Sequence, residues 1–204
     1  MSPRPSSFDL ATLLELRRDP PRAGQWASEV RQAYFGAHAA LRTVPERPHP
    51  EADVALERAG EVIALTGLPE RDAWRAGDHY MIAIEPGDDA AATRYAEWLL
   101  GLADDLPLGC SIAPWSRGVG ATARLWAIAV ARLILPRHVR VEARHDLVGI
   151  RLAQVALAFG ADTLAGPIAA DRKLPVAGVT RPSEATLAGL RNLIEQAGLE
   201  PHEP

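Results

Sequence analysis

The chain has 204 residues, a length that suits one domain with an ordinary hydrophobic core. Apolar residues make up 48% and charged residues 24%, as in typical globular proteins, and the net charge of −4 argues against a dedicated nucleic-acid binder. The longest apolar stretch, 125–136, contains Arg132 and is too short to cross a bilayer. No signal-peptide core opens the sequence, so we expect a cytoplasmic protein without membrane contact.

The first part of the chain predicts mainly helices. Apolar residues at helical spacing predict helices at 8–18 and 24–41. A loop with three prolines, TVPERPHPEA, follows them. The segment 53–65 predicts a third helix, although its letters VIALTG also fit a strand.

From residue 79 onward, predicted strands and helices alternate. The predicted strands are 79–85, 108–114, 138–143 and 161–168. The predicted helices that follow them are 88–103, 121–135, 146–159 and 182–197. Such alternation is typical of parallel strands joined by helical crossovers.

Four strand–helix units are half of an eightfold barrel, and residues 1–78 are too few for four more. We therefore predict a single α/β domain, an incomplete (half) TIM-type barrel of about four parallel βα units with N-terminal helices. Residues 1–78 form the N-terminal helical segment and truncated front, and residues 79–204 form the four units.

One long segment resembles a known family. The letters ATARLWAIAVARLILPRHVRVEARHDLVGIRLAQVALAFGADTLAGPI, 121–168, resemble the C-terminal part of the radical-SAM enzymes of futalosine-dependent menaquinone synthesis and deazaflavin (FO) synthesis. The letters LLELRRDPPRAGQWASEVRQAYFG, 13–36, and the end of the chain resemble the same family. The resemblance covers about residues 10–36 and 79–204 and implies the fold of that family.

The sequence departs from this family where its chemistry resides. The family's C-x-x-x-C-x-x-C cluster loop has no counterpart, since 38–50 contains no cysteine and Cys110 is the only one in the chain. A [4Fe–4S] cluster needs three thiolates. Two family motifs also differ at polar positions, where this chain has Arg144, His145, Asp162, Thr163 and Pro167. The resemblance therefore implies the fold without the radical reaction, with no cofactor and no metal.

A candidate ligand site follows from the predicted topology, because functional groups of parallel α/β proteins lie at the carboxyl ends of the strands. The loops and motif positions give the candidate ligand-binding residues Glu85, Trp115, Arg117, Arg144, His145, Asp162 and Arg172. Arginines beside an aromatic ring and carboxylates suit an anionic or nucleoside-like small molecule. We predict that Asp146 caps the following helix, and we assign no catalytic residue.

We interpret the chain as a degenerate, non-radical relative of these enzymes. It would act as a metabolite-binding or partner subunit in menaquinone biosynthesis, with a full-length family enzyme as a possible partner. The alternative is a small non-radical lyase or hydrolase that acts on a related chorismate- or nucleoside-derived anion at the strand-end loops. A third hypothesis is a remnant that folds without a ligand, so enzyme activity is left open.

The predicted half barrel leaves open strand edges and an inner face that the sequence suggests is apolar. The N-terminal helices or a second copy of the chain would have to cover that face. Two-fold dimers are the commonest solution to this problem, so we expect a homodimer.

Overall fold

The structure is a computed structural model, and it describes residues 7–46, 51–85, 87–102, 106–116, 118, 120–168 and 185–202. The helices are α1 (Leu10–Glu15), α2 (Pro20–Phe35), α3 (Asp89–Gly101), α4 (Ala121–Ile134), α5 (His145–Val148), α6 (Ile150–Leu157) and α7 (Leu187–Gln196). The strands are β1 (His38–Thr43), β2 (Val54–Arg58), β3 (Glu61–Leu65), β4 (His79–Ala83), β5 (Ser111–Trp115), β6 (Arg140–Arg144), β7 (Thr163–Gly166) and β8 (Glu200–His202). No helix in these described ranges is long and apolar enough to cross a membrane.

The eight strands form one sheet in the order β3-β2-β4-β5-β6-β7-β1-β8. The strands from β4 to β8 in this order pair in parallel, and β2 pairs antiparallel with both β3 and β4. The predicted fold class is confirmed: the chain is an α/β partial barrel of TIM type. The four predicted strands of the second half are confirmed as β4 to β7.

Aspartate side chains cap the amino ends of α1, α2 and α3. The carboxylate of Asp9 accepts from the backbone N–H of Thr12 at 2.8 Å and so caps α1, as expected for a short acidic side chain. Asp19 caps α2 in the same way, directly before its two prolines, and Asp88 caps α3. These caps satisfy backbone donors that would otherwise lack partners.

Two predictions for the first part of the chain were wrong. The segment 53–65 is the hairpin β2–β3 and not a helix, because Ala59 and Gly60 both have positive φ angles, 50° and 82°, as a two-residue hairpin turn requires. The helix predicted at 24–41 ends at Phe35, because Gly36 has a φ of 60° and β1 follows. The sequence reasoning also missed β8.

Later helix boundaries also differ from the prediction. The helix predicted at 146–159 is divided into α5 and α6 by Gly149, whose φ of 88° interrupts the helical path. The helix predicted at 182–197 is observed as α7, which Thr186 caps. Its predicted first residues lie outside the described residues.

The outer face of the sheet is apolar and packs against helices. Side chains alternate between the two faces of a strand, and the register places Tyr80, Ile112, Val141 and Leu164 together on the face opposite Glu142. All four are buried in one hydrophobic cluster. The N-terminal helices α1 and α2 pack against α3 and α4 and so thicken this outer layer. We had expected these helices to cover the inner face, and that expectation was wrong.

The inner face of the sheet is polar, which corrects the predicted apolar surface. Arg42 on β1 and Glu57 on β2 lie near opposite ends of the strand order, yet their Nη1 and Oε1 atoms are 3.2 Å apart. The sheet therefore curls so far that side chains bridge its concave side. Ion pairs of the chain's own residues fill this space, while the homodimer stays a prediction.

Candidate functional site

A buried carboxylate, Glu142 on β6, is the centre of the inner face. Arg42 binds it through two bonds, Nε to Oε1 at 2.7 Å and Nη2 to Oε2 at 2.8 Å. The hydroxyl of Ser111 donates to Oε1 at 2.7 Å. Burial raises the pKa of Glu142, but the neighbouring His79, whose Nδ1 lies 3.4 Å from Oε1, and the bound Arg42 outweigh it and hold that pKa well below its ordinary value. Glu142 is therefore ionised.

A second set of ion pairs extends the network toward the carboxyl ends of the strands. Glu57 accepts from Arg42 and also lies 3.5 Å from Nη1 of Arg144. Arg144 forms two hydrogen bonds to Asp146, from Nε to Oδ1 at 2.9 Å and from Nη2 to Oδ2 at 2.7 Å. Asp146, which we predicted as a helix cap, lies instead in the first turn of α5 and binds this arginine. The guanidinium of Arg144 is thus already engaged by two carboxylates.

A cavity of about 620 Å³ opens beside Glu142 at the amino ends of four parallel strands. His79, Ser111, Arg140 and Thr163 line it, and each is the first residue of its strand. The remaining lining residues are Phe35, Arg42, Gly109, Arg137, His138 and Glu142. We call this space the amino-end cavity. Substrate sites of TIM-type barrels lie at the opposite, carboxyl ends, so its position is unusual.

The surroundings of the amino-end cavity carry an excess of positive charge. Three arginines and one glutamate line it, and that glutamate is already paired with Arg42. Behind the wall, Arg31, Arg132 and Arg140 all interact with one carboxylate, Asp162. The guanidinium of Arg140 also lies 4.4 Å from the ring centre of Phe35. This excess contrasts with the net charge of −4 of the whole chain.

The residues that we predicted for the strand-end site lie in different surroundings. Glu85 is exposed after β4, where it lines a smaller cavity of about 390 Å³ with Asp88 and Arg94. Trp115 is the last residue of β5 and is buried. Arg117 and Arg172 lie outside the described residues.

His145 is a packing residue in this structure. A Cβ placed on Gly166 would lie 2.4 Å from the Nε2 atom of His145, so the ring occupies space that only glycine leaves open. The ring is 8% exposed, and Nε2 has no hydrogen-bond partner among the described residues. Burial lowers the pKa of His145 and keeps the ring neutral.

Asp162 lies away from the predicted strand-end site. It precedes β7, at the amino end, and its side chain points to the helices of the outer face. Its Oδ2 accepts from Arg132 at 2.8 Å and from the backbone N–H of Val141 at 2.9 Å. Arg132 also donates to three backbone carbonyls between 135 and 139, just after α4. This pair therefore holds the connection between α4 and β6.

The sequence resemblance to the futalosine and FO enzymes implies a [4Fe–4S] cluster and S-adenosylmethionine, and the residues present do not fit that cluster. Cys110 is the single cysteine, is fully buried, and donates from Sγ to the carbonyl of Arg75 at 3.0 Å. Burial raises the pKa of its thiol. The described part of the chain contains no group of three or more His, Cys, Asp or Glu side chains that could hold a metal.

The strand order and the curled sheet define a partial barrel of TIM type. Among solved structures the chain is similar to methylornithine synthase (PylB), with a TM-score of 0.53 and 16% identity over 96% of this chain and 93% of that chain. At this identity the similarity shows the fold alone. No protein-family model matches the sequence, and no curated protein matches it. The comparison thus supports the partial-barrel fold and does not test the resemblance to the futalosine and FO enzymes.

Sequence reasoning missed Arg42, His79, Ser111 and Glu142. One signal was available: the strand RVEAR, 140–144, has charged residues at every second position, which places all three on one face. Charged side chains on the inner face of a buried parallel strand indicate a polar interior. Their partners on β1 and β2 could not be assigned without the register.

Proposed function

We propose that this chain is a non-radical protein that binds a small anionic metabolite in the amino-end cavity of a radical-SAM-type barrel. The observation that carries the proposal is the charge of the cavity wall. Arg42 neutralises Glu142, and Arg140 shares the single carboxylate of Asp162 with Arg132 and Arg31, which leaves an excess of positive charge at the wall that includes Arg137. A concave site with low-dielectric walls concentrates such a field, and guanidinium groups bind carboxylates and phosphates in forked geometry.

The size and walls of the cavity indicate the kind of anion. A volume of about 620 Å³ lies within the range of small-molecule sites, roughly 300–1,000 Å³. Phe35 offers an aromatic surface beside Arg140, which suits a ligand with a ring and a carboxylate or phosphate. The resemblance to the futalosine and FO enzymes favours a chorismate- or nucleoside-derived anion, a place in menaquinone biosynthesis, and a full-length enzyme of that family as partner.

The non-radical part of the proposal depends on the single buried thiol. After anaerobic reconstitution with iron and sulfide, we expect a colourless protein without stoichiometric iron, because one thiolate cannot hold a [4Fe–4S] cluster. Iron analysis and the visible spectrum measure this. A cluster band that disappears in Cys110→Ala would contradict the proposal.

Binding of sulfate, a simple oxyanion, tests the site directly. We expect sulfate to raise the thermal unfolding temperature of the wild-type protein, because a ligand that binds only the folded state stabilises it. Arg137→Gln should weaken sulfate binding about fivefold, since exposed charge pairs contribute roughly 1 kcal/mol. Arg94→Gln, an equal charge change on α3 beside the other cavity, is the matched control and should bind as the wild type does.

Two outcomes would contradict the amino-end site. Wild-type protein that does not bind sulfate would contradict anion binding itself. Binding that is equal in wild type and Arg137→Gln but weaker in Arg94→Gln would move the site to the cavity beside Glu85, at the carboxyl ends that the sequence predicted.

A non-radical lyase or hydrolase is the second candidate, and one observation favours it. His79 lines the amino-end cavity, and its Nδ1 lies 2.7 Å from Ser111 Oγ, which in turn binds Glu142. A histidine held by a carboxylate is suited to proton transfer. Turnover of chorismate- or nucleoside-derived anions by wild type, lost in His79→Asn, would establish it; no turnover by wild type would leave only binding.

A further inference from the structure

A hydrogen-bond chain in the cavity wall fixes which nitrogen of His79 carries a proton. Glu142 is ionised and can only accept, so the hydroxyl of Ser111 donates its single proton to Oε1, at 2.7 Å. The 2.7 Å contact between Ser111 Oγ and His79 Nδ1 must therefore use a lone pair of the oxygen. Nδ1 of His79 is the donor in that bond, in the neutral ring as in the charged one.

The other ring nitrogen, Nε2, is then the one that gains or loses a proton. No hydrogen bond to Nε2 is found among the described residues, and the ring is partly exposed where it lines the amino-end cavity. A neutral His79 presents a bare lone pair there. A protonated His79 presents an N–H donor with a positive charge.

The charged groups on the neighbouring strands determine how protonation of His79 changes the net charge of the cavity wall. Glu57 on β2 pairs in register with His79, and Glu142 on β6 lies 3.4 Å from its Nδ1. Arg42 and Arg144 neutralise these two carboxylates. The remaining titratable and charged groups around the cavity are Arg137, His138 and Arg140. Because the carboxylates are already paired, protonation of His79 adds a net positive charge to the cavity wall.

We propose that His79, protonated at Nε2, donates a hydrogen bond to the oxyanion that binds in the amino-end cavity. An oxygen of the carboxylate, phosphate or sulfate group accepts a hydrogen bond from Nε2–H, and binding takes up one proton from solvent at that nitrogen. No bond between heavy atoms forms or breaks in this step. Ser111 and Glu142 are positioning residues, which orient the ring so that Nε2 faces the cavity. The inference rests on the proposed anion binding in the amino-end cavity.

The sign of the pH dependence follows from this assignment. The charged imidazole binds the anion, so affinity is highest at acidic pH and falls as rising pH removes the proton from Nε2. Sulfate is the probe because it keeps its charge over that range, whereas phosphate titrates itself. Calorimetry in two buffers of different ionisation enthalpy should show proton uptake when sulfate binds at neutral pH.

The comparison between pH 5.5 and pH 8.5 measures the effect. Wild-type affinity for sulfate should be about tenfold lower at pH 8.5, the scale of one hydrogen bond to a charged group. His79→Asn retains an amide that can reach Ser111 but has no Nε2. It should bind at both pH values with the lower affinity and without proton uptake.

Two further histidine variants serve as controls. His138 lines the same cavity, but its Nε2 lies 2.7 Å from the carbonyl oxygen of Leu106, so His138→Asn should keep the pH dependence. His38→Asn, at an exposed position beside Glu200, should behave as the wild type does. If the pH dependence of sulfate binding disappears in His138→Asn and persists in His79→Asn, the assignment to His79 is overturned.

The outcomes separate this inference from the proposed function. Sulfate binding with neither pH dependence nor proton uptake overturns the role of His79 and leaves anion binding intact. The absence of sulfate binding to wild type at pH 5.5 overturns both.

Discussion

Two buried arginine–carboxylate pairs lie on opposite faces of the same sheet, and they differ in what surrounds them. Arg132 and Asp162, on the outer face, are both fully buried among helices. Arg42 and Glu142, on the inner face, border a cavity that solvent reaches. The outer pair binds backbone groups at a chain connection, whereas the inner pair binds the side chains of Ser111 and a histidine.

The acid–base properties of the two carboxylates differ accordingly. Burial raises the pKa of Asp162 in spite of Arg132, whereas Arg42 and His79 hold the pKa of Glu142 well below its ordinary value. The same type of ion pair is thus enclosed by the chain on the outer face, where it has a structural role, and borders the proposed ligand cavity on the inner face. The presence of a buried ion pair alone does not distinguish these roles.

The largest effect is expected from breaking the outer pair. Arg132→Met removes from buried Asp162 its shortest ion pair, at 2.8 Å, which should lower the free energy of unfolding by about 3–5 kcal/mol. Chemical denaturation measures this. The double variant Arg132→Met/Asp162→Leu should recover part of the loss, because an apolar pair avoids the buried charge. A single variant as stable as wild type would show that the pair has no structural role.

A smaller effect is expected from breaking the inner pair. In Arg42→Met, Glu142 keeps the hydrogen bond from Ser111 and the neighbouring His79, so the loss should be about 1.5–3 kcal/mol, the scale of hydrogen bonds to a charged group. The same denaturation experiment compares it with Arg132→Met. A larger loss than for Arg132→Met would contradict the distinction between the two faces.

The smallest effect is expected in the way the free energy of unfolding falls at acidic pH, which we call the acid limb. The folded-state pKa of Glu142 lies below its ordinary value of 4.5, so the unfolded chain takes up the proton first and stability falls as pH drops below 4.5. Glu142→Gln should flatten this limb in unfolding experiments from pH 7 to pH 3. Asp162→Asn should not flatten it, because the pKa of Asp162 is raised. Equal effects of both variants would contradict the opposite directions.

The sequence predicted the parallel part of the fold well, for a local reason. Strands β4, β5 and β7 are short, mainly apolar runs, and β6 alternates apolar and charged residues, so each can be recognised from its own letters. The hairpin β2–β3 was predicted as a helix, because VALERAGEVIAL is rich in helix-forming Ala, Leu and Glu. Its pairing with β4 outweighs that preference.

The candidate site could be predicted only in part. The location of Arg144 at a strand end followed from the pattern of strands and helices, but its partner Glu57 is 87 residues away in the sequence. Arg42 and Glu142 are separated by 100 residues and meet because the sheet curls. No local pattern encodes that curvature, so the amino-end cavity appears only once the register is known.

The position of a bound oxyanion tests the account most directly. Crystals grown with selenate, a sulfate analogue with an anomalous signal, locate the anion without reference to any variant. We expect a selenium peak in the amino-end cavity, in contact with Arg137 or Arg140 and within hydrogen-bond distance of Nε2 of His79. A peak beside Glu85 or Arg144 at the carboxyl ends, or no ordered selenate at acidic pH, would contradict it.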